Sequence, residues 1–230
     1  MKKIIQVLLG SLLIISACVN IYLSFKILDL QNIINSNQVD STPINEYLNR
    51  TTIAYNKADW NAVTLNASFY ERKTNLIKEP ITPPIYLYTS YAYYNIGIKL
   101  KDKQRFTEFD KGLQEVEKYL KLENDKHMIY FVKGLILINY DDKNYITNLE
   151  QGVVSFQQAD KCVIKNNEST DQSVRIKHHI GVAYERMALY YRDKIKNKQK
   201  TKESFEEARK AYDLINETAS VARIDKYISQ

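Results

Sequence analysis

The sequence predicts an all-α protein, and three observations predict it. Prolines are confined to the first part of the chain, apolar residues recur at three- and four-residue intervals, and glycines fall within those apolar stretches. All four prolines (Pro43, Pro80, Pro83 and Pro84) precede residue 85, so nothing after them interrupts a helix as an interior proline would. At 230 residues the chain has room for an attachment segment plus one domain with a proper core.

The attachment segment comes first. Residues 4–25 (IIQVLLGSLLIISACVNIYLSF) carry no charge, which is about the length a helix needs to cross roughly 30 Å of hydrocarbon. Lys2, Lys3 and the terminal amine stand on one side, and Lys26 and Asp29 nearly cancel on the other. The positive-inside tendency then puts the N-terminus in the cytoplasm and the bulk of the chain in the periplasm or outside the cell, as a single-pass protein of a bacterial inner membrane. A second reading stays open, because Ile15-Ser16-Ala17-Cys18 resembles the lipobox of bacterial lipoproteins. That resemblance implies cleavage before Cys18, lipidation of its thiol and an outer-membrane lipoprotein with a structural or assembly role. Either way the soluble part lies outside the cytoplasm. Leu23, Ile27, Leu30 and Ile34 form a short heptad seam suited to homodimer formation. The expected organisation is anchor and stalk over 1–34, linker over 35–46 and helical domain over 47–230.

Helical signals then follow in order. Asp40-Ser41-Thr42-Pro43 with Glu46 supplies a cap, a first-turn proline and an acidic residue, a helix start within the linker's last residues. Asp59-Trp60-Asn61-Ala62 looks like the opening of a second helix. Breaks are expected at Glu79–Pro84 and Lys165–Gln172. Residues 128–140 (MIYFVKGLILINY) are apolar nearly all round, which predicts a central, buried helix, with a partner from Ile146 to Val163. Ile176, Ile180, Ala183, Met187 and Tyr191 lie on one helical face; Phe205, Ala208, Ala211, Tyr212 and Ile215 lie on another. Gly97, Gly134 and Gly181 fall midway along the first helix of a pair, and Gly112 and Gly152 in the second. A glycine inside a helix costs about 1 kcal/mol relative to alanine, so close helix–helix approach is the natural reason for each.

These spacings resemble the tetratricopeptide-repeat family. Tyr130 with Gly134, followed by Gly152, Phe156 and Ala159, carries the likeness best. Tyr93 with Gly97, then Gly112, Val116 and Tyr119, carries part of it, as does Gly181 with Tyr184, then Ala208, Tyr212 and Ile215. A degenerate unit occupies 45–78. The resemblance implies an αα-hairpin solenoid of three to four repeats, each burying its face only against its neighbours. It also implies a groove lined by the first helix of each repeat. The positions matching that groove are Tyr91, Tyr94 and Lys101, then Met128, Phe131 and Leu135, then Arg175, His178 and Glu185. Met128, Phe131 and Leu135 equally fit a plain core.

Chemistry is sparse. His127, His178 and His179 lack a second ligand at helical metal spacing, so no metal is expected, and no phosphate loop, nucleophile elbow or paired-carboxylate signature occurs. No cofactor and no catalysis are expected. Cys18 and Cys162 lie on either side of the anchor boundary, which excludes a disulfide within the domain and marks Cys162 as a buried thiol. The net charge of +6 does not point to nucleic acid in a membrane-attached chain. Its densest basic stretch is Arg192, Lys194, Lys196, Lys198, Lys200 and Lys202. The period of two fits no helical stripe, so it reads as a solvated loop or as a contact with lipid headgroups or an acidic partner. Tyrosine is abundant, with 18 copies, and the run Tyr86, Tyr88, Tyr91, Tyr93 and Tyr94 is either an aromatic face packed between helices or a recognition surface. The expected function is a membrane-anchored scaffold that binds a peptide or helix of another protein, as part of an envelope assembly or secretion complex.

Overall fold

Helix ends fall where the sequence supplies caps and prolines. In the computed structural model, which describes residues 42–229, α1 (Ile44–Asn56) begins directly after Pro43. It carries Glu46 in its first turn, where a carboxylate favours the positive end of the helix dipole. This start lies inside the stretch read as linker, because Pro43 ends the linker and residues 44–46 already belong to the helix. The Asp59 side chain caps α2 (Trp60–Ile77), accepting a hydrogen bond from the Ala62 N–H at 3.1 Å; Lys78 ends the helix in the left-handed conformation. Pro83 and Pro84 open α3 (Pro83–Gly97), where a missing N–H costs no helical bond. The remaining helices are α4 (Asp102–Leu122), α5 (His127–Ile138), α6 (Tyr145–Lys165), α7 (Thr170–Tyr190), α8 (Lys198–Asp213) and α9 (Thr218–Ile228). Between α7 and α8, Tyr191–Ile195 forms one turn of π-helix. No strand occurs among the described residues.

The helices pair as antiparallel hairpins, α1 with α2, α3 with α4, α5 with α6 and α7 with α8, and α9 packs on α8. Each hairpin also touches the next one in sequence. In addition α1 meets α3, α3 meets α5 and α5 meets α7, whereas the second helices make no comparable contact with one another. The first helices therefore form the inner layer and the second helices the outer one.

Packing follows the apolar pattern. Almost all of α5 is buried, including Ile129, Phe131, Val132, Leu135, Ile136 and Ile138. The largest cluster joins Phe131, Leu135 and Ile138 to Leu149, Val153 and Phe156 of α6 and to Ile176, Ala183 and Met187 of α7. Removing such side chains from water contributes about 25 cal/mol for each Å² of apolar surface, which makes this seam the main source of stability. Two glycines admit close approach. A Cβ on Gly134 would stand 2.5 Å from the Phe156 ring, and one on Gly181 would stand 2.6 Å from the Tyr212 ring. Gly97 differs from expectation, since it ends α3 rather than sitting midway; the ring of Phe109 from α4 occupies the space beside it. Cys162 is buried and free, and burial pushes its thiol pKa up.

The basic stretch is the clearest departure from the sequence reading. Instead of a solvated loop, it is the π turn followed by the first turns of α8, so Lys198, Lys200 and Lys202 are helical. Asn197 explains the start, because its side chain accepts from the Lys200 N–H at 3.0 Å. Among the described residues no helix is long and apolar enough to cross a membrane. The attachment segment 4–25, Cys18, the Leu23–Ile34 seam and linker residues 35–41 lie outside the described residues.

Candidate functional site

The inner layer gathers aromatic side chains from separate hairpins. Tyr55 at the end of α1 lies 4.5 Å from Tyr88 and 5.8 Å from Tyr91, ring centroid to ring centroid. Trp60, the first residue of α2, stands edge-on to Tyr91 at 5.5 Å. Tyr91 continues to Tyr94 at 6.0 Å, and Tyr94 stacks on the buried Phe109 at 6.4 Å. The three- and four-residue helical period makes this possible, since Tyr88, Tyr91 and Tyr94 share one face of α3. Tyr86 and Tyr93 face the other way: Lys118 lies over the Tyr86 ring and Lys111 over the Tyr93 ring.

Cations of α7 complete this surface. Arg175 places its guanidinium carbon 4.9 Å over the Phe131 ring. Arg186 donates through Nη1 to the Ile138 carbonyl at 2.6 Å and to the Asn139 Oδ1 at 3.3 Å, so the last carbonyls of α5 hold its charge. Both arginines act electrostatically on Tyr94, and Arg175 also on Tyr55. Burial nonetheless raises both phenol pKa values, helped by the neighbouring Tyr91. Between the two arginines along α7 sits His179, which meets Phe131 edge-on at 5.2 Å and stacks on Phe156 at 5.6 Å. Burial, His178, Arg175 and Arg186 together lower its pKa to about 4, so it is neutral at pH 7. The result is a half-buried aromatic strip with arginines at its α7 end.

Tyr91, Tyr94 and Arg175 are thus brought together. Phe131 and Leu135 are core, with 2 % and 4 % exposure, and Met128 is half-buried. Lys101 is the exposed residue before α4, beyond the helix that carries the tyrosines. His178 and Glu185 face the C-terminal helices instead. His178 Nδ1 lies 2.7 Å from Glu217, and Glu185 accepts from the Tyr212 hydroxyl at 3.0 Å and from two nitrogens of Arg223 at 2.9 Å. Sequence reasoning missed Tyr55, Trp60, His179 and Arg186 as parts of the strip, and named Tyr88 only within the tyrosine run. The step of seven from His179 to Arg186, with Arg175 four residues before, was the available signal on α7.

Other features offer less chemistry. Among the described residues no group of three or more His, Cys, Asp or Glu side chains stands ready for a metal ion. His127 pairs with Glu168, and the Lys118 ammonium bridges Glu115 of its own helix at 2.8 Å to Glu71 of α2 at 3.0 Å, structural ties between elements. Compared with known proteins, the chain matches no protein-family model and no curated relative.

Proposed function

We propose that the chain is a non-enzymatic scaffold whose inner helical layer binds a segment of another protein. One observation carries the reading: an unbroken aromatic path from Tyr55 through Tyr91 to Tyr94, with Arg175 and Arg186 both acting on Tyr94 at its end. Tyrosine, tryptophan and arginine are the residues that most often anchor protein interfaces, because they offer large rigid area with a polar tip. Serial hairpins with first helices inside support a tetratricopeptide-like solenoid, and in that arrangement the strip lines the groove. An extended or helical peptide would lay apolar side chains on the tyrosines and a carboxylate near the arginines. The uncharged segment 4–25 supports membrane attachment with this domain outside the cytoplasm, and the anchor would raise the local concentration of partners on the same membrane. Ile15-Ser16-Ala17-Cys18 supports the second mode of attachment, a lipid on Cys18.

Site-specific photocrosslinking in the native membrane tests both parts. A crosslinking residue at Tyr94 or Arg175 should capture the same protein, one not captured from Glu117 on the outer layer. Capture should fall on Tyr91→Ala in a chain that keeps its thermal midpoint. Identical products from inner and outer positions, or none from the inner ones, would sink the groove. The mass of the mature N-terminus decides the anchor: an acylated Cys18 replaces the spanning helix by a lipid.

A further inference from the structure

The basic stretch plays no part in the strip, and its geometry is unusual in its own right. Arg192, Lys196, Lys198 and Lys202 converge on a cup of about 430 Å³ whose apolar side is formed by Phe205, Tyr227 and Ile228. Phe205 stacks on Tyr227 at 5.1 Å, and the Arg192 guanidinium carbon lies 5.5 Å over the Tyr227 ring. Among the described residues no carboxylate lines the cup. Asp193 pairs with Arg192 at 2.7 Å and Glu206 stands 3.9 Å from Lys202, while Lys196 and Lys198 make no ion pair among the described residues. The other two cations of the stretch are placed elsewhere: Lys200 lies over the Tyr191 ring and Lys194 is exposed.

This arrangement works against folding. Lys198 and Lys200 stand in the first turn of α8, at the positive end of its dipole, where a cation is disfavoured. Lys196 holds a left-handed backbone (φ 57°), which favours glycine. The π turn that presents it is closed by a 3.0 Å bond from the Asn197 N–H to the Tyr191 carbonyl, and such turns recur at functional sites. Four cations lining one cup, two of them (Lys196 and Lys198) without an ion pair among the described residues, call for an anion of more than one oxygen, and the aromatic and aliphatic wall calls for carbon attached to it.

We propose that this cup binds a phosphate ester carrying an apolar portion, the headgroup and first carbons of an anionic phospholipid or a soluble organic phosphate. Lys196, Lys198 and Lys202 hold the phosphate oxygens, and Tyr227 and Ile228 meet the carbon chain. The site is independent of the peptide groove, so either can fail alone.

The test uses the full chain in non-ionic detergent with three short-chain probes: dihexanoyl phosphatidylglycerol, dihexanoyl phosphatidylcholine and glycerol phosphate. Acetylation of individual lysines is followed by mass spectrometry, with exposed Lys99 as the internal reference. Phosphatidylglycerol should slow acetylation of Lys196, Lys198 and Lys202 by about threefold, the protection that two-thirds occupancy gives. Phosphatidylcholine, with its phosphate neutralised by choline, should give none. Protection by phosphatidylglycerol alone assigns a lipid, weaker protection by glycerol phosphate as well assigns a phosphate site open to soluble esters, and equal protection by the two would overturn the role given to Tyr227 and Ile228. Combined Lys196→Gln, Lys198→Gln and Lys202→Gln should weaken binding by at least about tenfold, as loss of several charge-assisted contacts requires, with a thermal midpoint no lower than before. Protection by phosphatidylcholine equal to that by phosphatidylglycerol, no protection by either phosphate probe, or undiminished binding by the triple variant would overturn the proposal.

Discussion

The hairpins α5–α6 and α7–α8 solve the same packing problem with different chemistry. In each, a glycine on the first helix receives an aromatic ring from the second: Gly134 takes Phe156 and Gly181 takes Tyr212. Phe156 is wholly buried and its ring neighbours are Phe131 and His179. Tyr212 is also buried, but its hydroxyl donates to Glu185, which in turn accepts Arg223 from α9. Carboxylate, hydrogen bond and burial all raise the Tyr212 pKa, burial most. One hairpin is thus held at this point by ring contacts, one of them with the imidazole of His179, and the other adds hydrogen-bonded and ionic ties to its neighbour. The lesson is that an aromatic ring in a glycine notch sets helix spacing whatever surrounds it. What surrounds it decides whether pH and salt are felt.

The sharpest way to break this comparison is to empty the first notch. Phe156→Ala should cost about 3–5 kcal/mol, read as a lower urea midpoint with the slope preserved. Filling a notch is the next largest effect. Gly134→Ala presses a methyl on a ring that has no free side to move into, a loss of about 1–3 kcal/mol offset in part by the roughly 1 kcal/mol helix gain of alanine. Tyr212→Phe keeps the ring and removes the hydroxyl, and Glu185 keeps Arg223, so a loss of about 0.5–1.5 kcal/mol is expected. Equal losses from Phe156→Ala and Tyr212→Phe would show that the polar ties, not the ring, hold the second hairpin.

Acid separates the seam further. The folded-state pKa of His179 lies below its ordinary value of 6.5, at about 4, so the unfolded chain binds the proton more readily in that interval. The stability that neutral His179 contributes is present above pH 6.5 and is lost as pH falls toward 4. Glu217 acts in the same direction: burial opposes its ionisation, but hydrogen bonds from Ser220 and His178 prevail and hold its pKa down. Urea midpoints across this interval should fall with acidification, and His179→Leu should flatten part of the fall. The smallest effect expected is from Arg209→Ala, which removes an exposed, solvent-screened pair with Asp225 at 2.7 Å and should leave the urea midpoint nearly where it was.

The helical class was legible because proline placement and apolar spacing are local signals. So was the buried α5, since its residues are apolar on every side. Helix ends were less so. The end of α3 at Gly97 depends on Phe109 coming from another helix, and the start of α8 depends on Asn197 acting as a cap in a run of lysines whose period of two argued against helix. Of the positions that the tetratricopeptide resemblance implied for a groove, Tyr91, Tyr94 and Arg175 stand at the strip. His178 and Glu185 were read one position away from the residues that face the strip, His179 and Arg186, because a single step along a helix turns a side chain by about 100°. Tyr55 and Trp60 come from the least regular hairpin, where spacing gave no frame on which to place them.

Trp60 is the one tryptophan of the chain, and it stands edge-on to both Tyr55 and Tyr91, at 5.9 Å and 5.5 Å. Its half-buried indole therefore gives the aromatic strip an optical reporter that needs no label. Selective excitation of that indole reads the strip alone among so many tyrosines, and its emission should shift toward the blue when a bound segment displaces water from the neighbouring rings.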